Sequence, residues 1–365
     1  MQRLLCLLSG MDAGGAETFL MKVYRNIDRT KYQFDFCINV KEKCFHEDEI
    51  LSLGGKIFRI PPKTENMKEF KQQLTDVIKS NKYEYVLRIT SNAMGFLDLK
   101  IAKKAGAKVC CARSSNSSDG AGIKSKVAHM LGCLLYRKYV DVAFAPSDLA
   151  ASYTFGKKSY KNGNVHILHN AVDLDIFHYD EDARSKIRKE FSIGSDVSVF
   201  GHIGRFMEQK NHIFLAEIFK CVKEINSNTL LLLVGDGDLK DQFEKKAIEL
   251  GIKDSIIFAG IRSDIPALLS AMDVFVFPSL YEGMPNTVIE AQATGLPCII
   301  ADTITKEANI TGLVEYLPLS HSAEHWAQIS MQKLCSQRSE TKQAFVENKY
   351  DIQSLTQEFK KIIFY

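Results

Sequence analysis

The sequence lacks the features that mark membrane-spanning, zinc-binding or disulfide-rich proteins. No stretch approaches the ~18 consecutive apolar residues that a membrane-spanning helix needs, and the apolar run near the start, Leu4 to Leu8, is short for a signal peptide. The nine cysteines are odd in number and include no CxxC pair. We therefore expect small buried thiols in a reducing compartment, and a cytoplasmic protein.

Strong charge and the standard nucleotide fingerprints are also missing. The net charge of +3 is too small to indicate a nucleic-acid partner. Neither GxGxxG nor GxxxxGK[ST] occurs, so a common dinucleotide site or P-loop is excluded. What remains is an ordinary globular composition, 45% hydrophobic and 25% charged, over 365 residues, which is long enough for two domains with full cores.

Short apolar runs alternate with helical patterns along most of the chain. The first unit is a strand over 3–8, a turn containing Gly14 and Gly15, and a helix over about 18–27. A second series of the same kind begins at Val197, after a charged and irregular passage. This alternation predicts an α/β protein with parallel, helix-covered sheets. We place the boundary so that the domains are 1–172 and 173–350, with an amphipathic helix over 351–365 packing back on the first.

The segment 123–139 predicts a helix with an apolar and a basic side. Its charged residues are Lys124, Lys126, Arg137 and Lys138, and its large apolar ones are Val127, Met130, Leu131, Leu134 and Leu135. We expect the apolar side to pack on the core and the basic edge to be solvated. The alternative is a helix that faces a membrane surface or an anionic acceptor.

The stretch 273–301 predicts a strand, a sharp turn, a helix and a second strand. Pro285 suits a first helical position, and Gly295 ends the helix. Its N-terminus would suit a phosphate, because free N–H groups and the positive end of the dipole meet there. Glu282 precedes the helix and Glu290 lies on it. The anion site is therefore flanked by two carboxylates that can accept hydrogen bonds from hydroxyl groups. The alternative is an ordinary strand–turn–helix unit.

Two cations follow the first strand of the second series. Arg205 directly follows Gly204, and Lys210 comes five residues later. Both could reach one diphosphate at the same sheet edge. The alternative is a pair of surface cations. Two Asp-x-Asp patterns, at 173–175 and 236–238, are short and common, and we expect no metal or other cofactor.

Four ordered motifs then carry a resemblance. GRFMEQKNH, LLLVGDGDL, FAGIRSDI and FPSLYEGMPNTVIEAQATGLPCI follow one another within 197–301, and GGAE and HNAVD extend the match toward the start. Together they resemble glycosyltransferase family 4 of the GT-B enzymes, and within it bacterial exopolysaccharide and capsule transferases. The resemblance implies two Rossmann-like domains facing across a cleft. It also implies transfer of a sugar, with retention, from a nucleotide diphosphate sugar, most often UDP, to a glycan or lipid-linked acceptor.

The resemblance also implies roles for residues. Glu282, Arg205 and Lys210 would serve catalysis, Glu290 would bind the ribose, and Gly15 would let the first domain approach the phosphate. The full donor-binding set would be Gly15, Gly204, Arg205, Lys210, Ile261, Arg262, Glu282, Gly283, Met284, Pro285, Asn286, Thr287 and Glu290. Because family members often carry a histidine where this chain has Arg113-Ser114-Ser115-Asn116, Ser115 or Asn116 becomes the candidate for an acceptor or sugar contact.

Two other functions stay open: a sugar-nucleotide epimerase on the same fold, and a non-catalytic nucleotide-sugar-binding partner of a transferase. No second acid/base group beyond Glu282 is evident for the first, and the set Arg205, Lys210, Glu282 and Glu290 argues against the second. A lipid-linked acceptor would bring the protein to the inner face of the plasma membrane, as a peripheral contact.

Overall fold

Two parallel β-sheets organise the chain in this computed structural model, which describes residues 1–12, 14–115, 123–334 and 337–365. The chain divides into two units: Met1–Ala171 together with Ile352–Tyr365, and Val172–Asp351. Each unit has its own hydrophobic core. The protein is therefore an α/β protein of two Rossmann-like domains, as the sequence predicts.

The first unit holds a seven-stranded sheet in which every pairing is parallel. Its strands are β1 (Gln2–Leu7), β2 (Tyr32–Ile38), β3 (Ile57–Arg59), β4 (Tyr85–Thr90), β5 (Val109–Ser114), β6 (Val142–Ala145) and β7 (His166–Ile167). The order is β3-β2-β1-β4-β5-β6-β7. Strand order reverses between β1 and β4, and in such sheets ligands bind outside the carboxyl ends at this point.

Helices cover both faces of this sheet. They are α1 (Gly15–Asn26), α2 (Glu47–Ser52), α3 (Met67–Asn81), α4 (Phe96–Ala105), α5 (Ile123–Tyr136), α6 (Asp148–Phe155) and α7 (Lys157–Lys161). Buried residues of α1 include Phe19, Leu20, Val23 and Tyr24, which recur at helical spacing and join one core with β1 and β2. Core packing thus fixes the helix that follows the Gly14 turn.

The expected packing of the 123–139 segment is wrong. The α-helix ends at Tyr136 and continues as a 3-10 turn over Arg137–Tyr139. All five large apolar residues that were expected to pack on the core are exposed: Val127, Met130, Leu131, Leu134 and Leu135. The side that faces the protein carries Gly132, which is buried, and His129 and Cys133, which are half-buried. The cause is the close approach that only Gly132 permits, since a Cβ there would lie 2.5 Å from the carbonyl carbon of Ala93.

The second unit has a six-stranded sheet, again parallel throughout. Its strands are β8 (Ser198–Ile203), β9 (Thr229–Val234), β10 (Ile256–Gly260), β11 (Val274–Phe277), β12 (Cys298–Ala301) and β13 (Val314–Leu317). The order β10-β9-β8-β11-β12-β13 reverses between β8 and β11. This switch point positions the loops after β8 and β11 side by side.

The helices of this unit are α8 (Glu181–Glu190), α9 (His212–Ile225), α10 (Lys240–Glu249), α11 (Ile265–Ala271), α12 (Asn286–Ala293), α13 (Ala323–Gln332) and α14 (Lys342–Glu347). The passage that the sequence indicated as irregular contains α8, whose N-cap Asp180 accepts a hydrogen bond from Ala183 N. Arg184 and Arg188 on it form ion pairs with Asp273 at 2.8 and 3.4 Å. The half-buried Arg184 and the buried Arg188 therefore attach this charged helix to the start of β11.

The last helix, α15 (Ile352–Phe364), belongs to the first unit. Phe359 is fully buried among Phe19, Phe34 and Phe144, with ring centroids 5.7–6.2 Å apart. The helix is thus part of that core.

The described cysteines are free thiols, and all but the half-buried Cys133 are buried. Burial raises the pKa of the Cys37 and Cys110 thiols to about 12, so they remain protonated. Over the described ranges, no helix is both long and apolar enough to span a bilayer.

Candidate active site

The candidate site is built at the switch point of the second sheet. Strand β8 ends at Ile203 and leads into Gly204 and Arg205, while β11 ends at Phe277 and leads into the 278–285 loop. Three hydrogen bonds to backbone carbonyls join these loops. Leu280 N donates to Gln209 O at 2.8 Å, Gln209 Nε2 donates to Tyr281 O at 2.9 Å, and Asn211 Nδ2 donates to Pro278 O at 3.2 Å. The structure therefore brings together the two sequence segments that were predicted to share one sheet edge.

Lys210 and Glu282 form the central contact of this edge. Lys210 Nζ lies 2.7 Å from Glu282 Oε1, and their side chains are only 16% and 10% exposed. The same Nζ stands 4.5 Å from the centroid of the Phe277 ring. A carboxylate and an aromatic face thus hold a largely desolvated ammonium in place. Its two further N–H groups are the donors that an anionic ligand would use.

Glycines let the backbone and the lysine stem approach closely. A Cβ on Gly204 would lie 3.2 Å from Cδ and Cε of Lys210, so this glycine makes room for the aliphatic stem. Gly235, with φ +136°, has even less room, because a Cβ there would lie 2.2 Å from Gly204 O. The loop after β9 therefore packs directly against the loop after β8, and only glycine fits at the contact.

Two buried histidines lie beneath this loop. His202 Nδ1 donates to Val276 O at 2.9 Å. In the neutral ring Nε2 is then an acceptor, and it has no hydrogen-bond partner within the described residues. His212 stacks on Phe206 with centroids 4.2 Å apart, and neither of its ring nitrogens has a partner within the described residues. Burial, and then the charge of Lys210, lower the pKa of His212 to about 4. Burial and the neighbouring His212 hold the pKa of His202 well below its usual value, so both rings are neutral near pH 7.

Arg205 is the exposed cation of the site. Its side chain is open to solvent, and it makes no hydrogen bond or ion pair with any residue that the structure describes. It differs in this from Lys210, which is already paired. An unpaired guanidinium at the carboxyl edge of a parallel sheet is free to form a bidentate contact with a phosphate.

Helix α12 begins where the sequence predicts an anion-binding terminus. Pro285 is its N-cap and is buried, while Met284, Asn286 and Thr287 are half-buried. The N–H groups of Val288 and Ile289 donate to Pro285 O, and helix geometry leaves the N–H groups of the preceding turn without intrahelical acceptors. Gly283 is exposed. These groups follow Glu282 directly along the chain.

A buried glutamine fixes the orientation of α12. Gln292 Nε2 donates to Ala308 O at 2.7 Å, and Gln292 Oε1 accepts from Ile310 N at 3.0 Å. Glu290, two residues earlier, is half-buried on the same helix. The amide of Gln292 thus ties the helix that carries Glu290 to the loop after β12.

The segment Ile261-Arg262, which was predicted to bind the donor, has one exposed side chain and one that is held by carboxylates. Ile261 is 83% exposed, which leaves an apolar surface open to a ring. Arg262 binds Asp264 through two contacts of 2.8 and 2.6 Å and also Glu190 at 2.6 Å. These carboxylates raise the pKa of the Arg262 guanidinium. Arg262 therefore orients the loop after β10, and its charge is already compensated.

Of the predicted residues of the first unit, Gly15 follows β1 at the switch point, and Ser115 follows β5, one strand beyond it. Gly15 begins α1, and Ser115 N donates to Thr90 O just beyond β5. Asn116 lies outside the described residues.

Arg113, beside Ser115, is fully buried under Phe19, with Cζ 3.7 Å from the ring centroid, and donates to Asn170 Oδ1 at 2.8 Å. Burial lowers its pKa to about 9, and burial also raises the pKa of the Glu17 carboxyl nearby. Glu17 belongs to the GGAE motif, which the sequence analysis singled out. The contact between Arg113 and Asn170 could not be predicted, because no sequence pattern links these two residues.

The two Asp-x-Asp patterns form turns. Asp173 Oδ1 accepts from Asp175 N at 3.1 Å, and Asp236 Oδ1 accepts from Gly237 N at 2.9 Å. Within the described ranges, no group of three or more His, Cys, Asp or Glu residues is arranged to hold a metal ion.

Comparisons with known proteins place the chain in a family and identify its fold. Residues 183–352 match the family described as glycosyl transferases group 1. EpsF of Bacillus subtilis (strain 168), which carries a glycosyltransferase name, is 36% identical over 334 residues, covering 90% of this chain and 86% of that protein. An Escherichia coli enzyme, UDP-Gal:alpha-D-GlcNAc-diphosphoundecaprenol alpha-1,3-galactosyltransferase, is 36% identical over 141 residues, 38% of this chain and 36% of its own.

Among solved structures, Anabaena HepE in complex with UDP superimposes with a TM-score of 0.76 at 16% identity, covering 99% of both chains. At that identity the likeness establishes the fold, which is GT-B, with its two Rossmann-like domains. The long match to EpsF establishes the family. The chain belongs to the group 1 glycosyltransferases.

Proposed function

We propose that this enzyme transfers a sugar, with retention at the anomeric carbon, from a nucleoside diphosphate sugar to a glycan or lipid-linked acceptor in surface polysaccharide synthesis. UDP is the proposed nucleotide. The observation that carries the proposal is the ion pair between Lys210 and Glu282. Lys210 also contacts the Phe277 ring, and Glu282 lies three residues before Pro285, the N-cap of α12. The donor of the Escherichia coli relative, as its name states, is UDP-Gal, and its acceptor is diphosphoundecaprenol-linked.

The proposed chemistry is stabilisation of the leaving group. As the bond between the anomeric carbon and the diphosphate oxygen breaks, negative charge builds up on the diphosphate. Arg205 and Lys210 would neutralise that charge, and the first N–H groups of α12 would donate hydrogen bonds to the diphosphate oxygens. The acceptor hydroxyl then bonds to the same carbon and loses its proton to the departing diphosphate. We propose no metal, because two cationic side chains supply the charge.

The carboxylates have different proposed tasks. Glu282 both anchors Lys210 and faces the donor sugar, so it couples sugar recognition to the diphosphate contact. Glu290 would accept hydrogen bonds from the ribose hydroxyls, and the exposed Ile261 would lie beside the base. Gly15 of the first unit would let that domain approach the phosphate, and Ser115 or Asn116 is the proposed acceptor or sugar contact.

The test is a screen of nucleotide sugars by thermal shift, because a ligand that binds the native state raises the melting temperature. Donors that bind are then assayed for nucleoside diphosphate release without acceptor, with and without EDTA. We expect stabilisation by a UDP-sugar, and UDP release that EDTA leaves unchanged. Binding without any release, even with lipid-linked acceptors, would favour a non-catalytic partner, and formation of an epimeric nucleotide sugar would favour an epimerase.

A further inference from the structure

Two cations and one carboxylate form a cluster at the carboxyl edge of the first sheet. Arg88 is the last residue of β4 that pairs with β1, at the point where the strand order reverses. Lys63 follows β3, and Asp98 lies in the first turn of α4. Three connections that are distant in sequence therefore bring charged side chains together at the edge where parallel sheets bind ligands.

The cluster is largely buried and carries one positive charge in excess. Lys63 Nζ lies 2.6 Å from Asp98 Oδ1, and Arg88 Nε lies 3.0 Å from Asp98 Oδ2. Asp98 is only 2% exposed, and Arg88 is 9% exposed. Within the described ranges, no other carboxylate pairs with either cation. Burial lowers the pKa of the Lys63 ammonium, because a desolvated cation is less stable than a hydrated one.

The guanidinium of Arg88 is the unsatisfied member of the cluster. Its Nε is buried and has no hydrogen-bond partner, because the contact with Asp98 lacks the alignment of a hydrogen bond. Its terminal Nη groups form no hydrogen bond with any residue that the structure describes. Buried polar groups are normally hydrogen-bonded. A structural role for Asp98 needs only one cation, and Lys63 already supplies it, so the unused donors of Arg88 indicate a ligand.

We propose that Arg88 and Lys63 bind a phosphate group of the acceptor. A guanidinium fork and an ammonium both suit an oxyanion. A phosphate has three oxygens that can accept from both cations at once, whereas a carboxylate offers two. The inference deepens the proposed function, on which it rests for identifying the ligand as the acceptor.

The position of the cluster agrees with the proposed acceptor contact. Ser115 N donates to Thr90 O at 3.0 Å, directly beyond the ends of β4 and β5. Thr90 lies two residues after Arg88, so both side chains belong to the same face of β4. An acceptor that contacts Ser115 could therefore place a phosphate group near Arg88.

The experiment is titration calorimetry of the full-length protein with inorganic pyrophosphate and, separately, with glucose 1-phosphate. All proteins carry R205A, which weakens the proposed diphosphate site of the second unit. We expect R205A/R88Q to bind both probes about 10- to 100-fold more weakly than R205A, because charge-assisted hydrogen bonds are lost. R205A/R88K keeps the charge without the fork, so its affinity should lie between the two. The matched control is R205A/R25Q, which removes an arginine of the same unit that Glu49 fully pairs, and it should bind like R205A.

Melting temperatures distinguish a binding role from a structural one. R88Q leaves Lys63 and Asp98 as a balanced pair, so R205A/R88Q should melt at or above the temperature of R205A. The two probes distinguish the sources of the phosphate. Tighter binding of pyrophosphate would assign the subsite to a diphosphate that links a glycan to its carrier, and tighter binding of glucose 1-phosphate would assign it to a phosphate on the glycan.

Three results would overturn the proposal: no binding of either probe by R205A, equal affinities of R205A and both Arg88 variants, or tighter binding of glucuronate than of either phosphate. R205A/R88K keeps the test decisive if R205A/R88Q fails to fold. UDP release by the parent protein without an acceptor tests the proposed function separately. Its absence would refute that function, whereas phosphate binding that depends on Arg88 would still stand.

Discussion

Lys210 Nζ and Glu282 Oε1 lie 2.7 Å apart across 72 residues of sequence. Lys210 lies in the loop after β8 and Glu282 in the loop after β11. The pair therefore links the two loops that flank the switch point of the sheet. Because both side chains are largely buried, removal of one leaves the other charge poorly compensated. The contact therefore couples the structure of the two loops to any chemistry performed there.

The exposed Arg205 allows binding to be separated from folding. Arg205→Ala should leave the melting temperature unchanged, because the side chain has no partner within the described residues. It should weaken binding of the nucleoside diphosphate by about 10- to 100-fold, since a charge-assisted hydrogen bond contributes about 1.5–3 kcal/mol. Titration calorimetry with UDP measures the loss. Lys245→Ala, which removes an exposed cation on α10, is the control, and equal affinities for both variants would contradict the role of Arg205.

Gly235 tests the close packing of the two loops. Gly235→Ala should destabilise the protein by more than about 3 kcal/mol, since left-handed backbone costs an alanine about 1–2 kcal/mol and the Cβ would also collide with Gly204 O. Gly251→Ala has φ +69° and nothing within 4 Å, so it should show the backbone cost alone. Urea unfolding measures both. A loss no greater for Gly235→Ala than for Gly251→Ala would mean that the loops are not in contact.

The buried histidines predict a loss of stability in acid. The folded pKa of His212 is lowered to about 4 from the ordinary 6.5, so below pH 6.5 the unfolded chain binds a proton that the folded chain does not. This contribution is fully present above about pH 6.5 and declines by about 1.4 kcal/mol per pH unit as pH falls toward 4.

His212→Phe keeps a ring on Phe206 and removes that titration. Its unfolding midpoint should therefore fall less than that of the parent between pH 7 and pH 5. His321→Gln changes an exposed histidine and should behave like the parent. A His212→Phe protein that loses as much stability as the parent would show that His212 is protonated in the folded state.

Local sequence patterns predicted the elements whose boundaries depend only on residues close to them in the sequence. Apolar runs ending in glycine or proline predicted β8 and β11, and Pro285 predicted the start of α12. The contact between Lys210 and Glu282 could not be read from the sequence, because it depends on which strands become neighbours. The sequence predicted only that these two loops lie at the same edge of the sheet.

Other features failed for identifiable reasons. Helix α8 was missed because its residues are mostly charged, and its burial depends on Arg184 and Arg188 reaching Asp273. Strand β13, over Val314–Leu317, was missed because four residues at a sheet edge carry little pattern. The orientation of α5 was predicted wrongly because apolar periodicity shows that a face exists but not what covers it, and Gly132 decides which side meets the protein.

The account depends most on Lys210 as the cation that holds the departing diphosphate. The most direct measurement is the rate of UDP release from the stabilising UDP-sugar by Lys210→Ala and by the matched control Lys253→Ala. Lys253 also pairs with a carboxylate, Glu244 at 2.7 Å, and lies 4.3 Å from the Phe258 ring centroid. We predict that Lys210→Ala lowers kcat/KM by at least about a hundredfold, while Lys253→Ala keeps the parental rate. Equal rates for the parent and a folded Lys210→Ala would contradict the account.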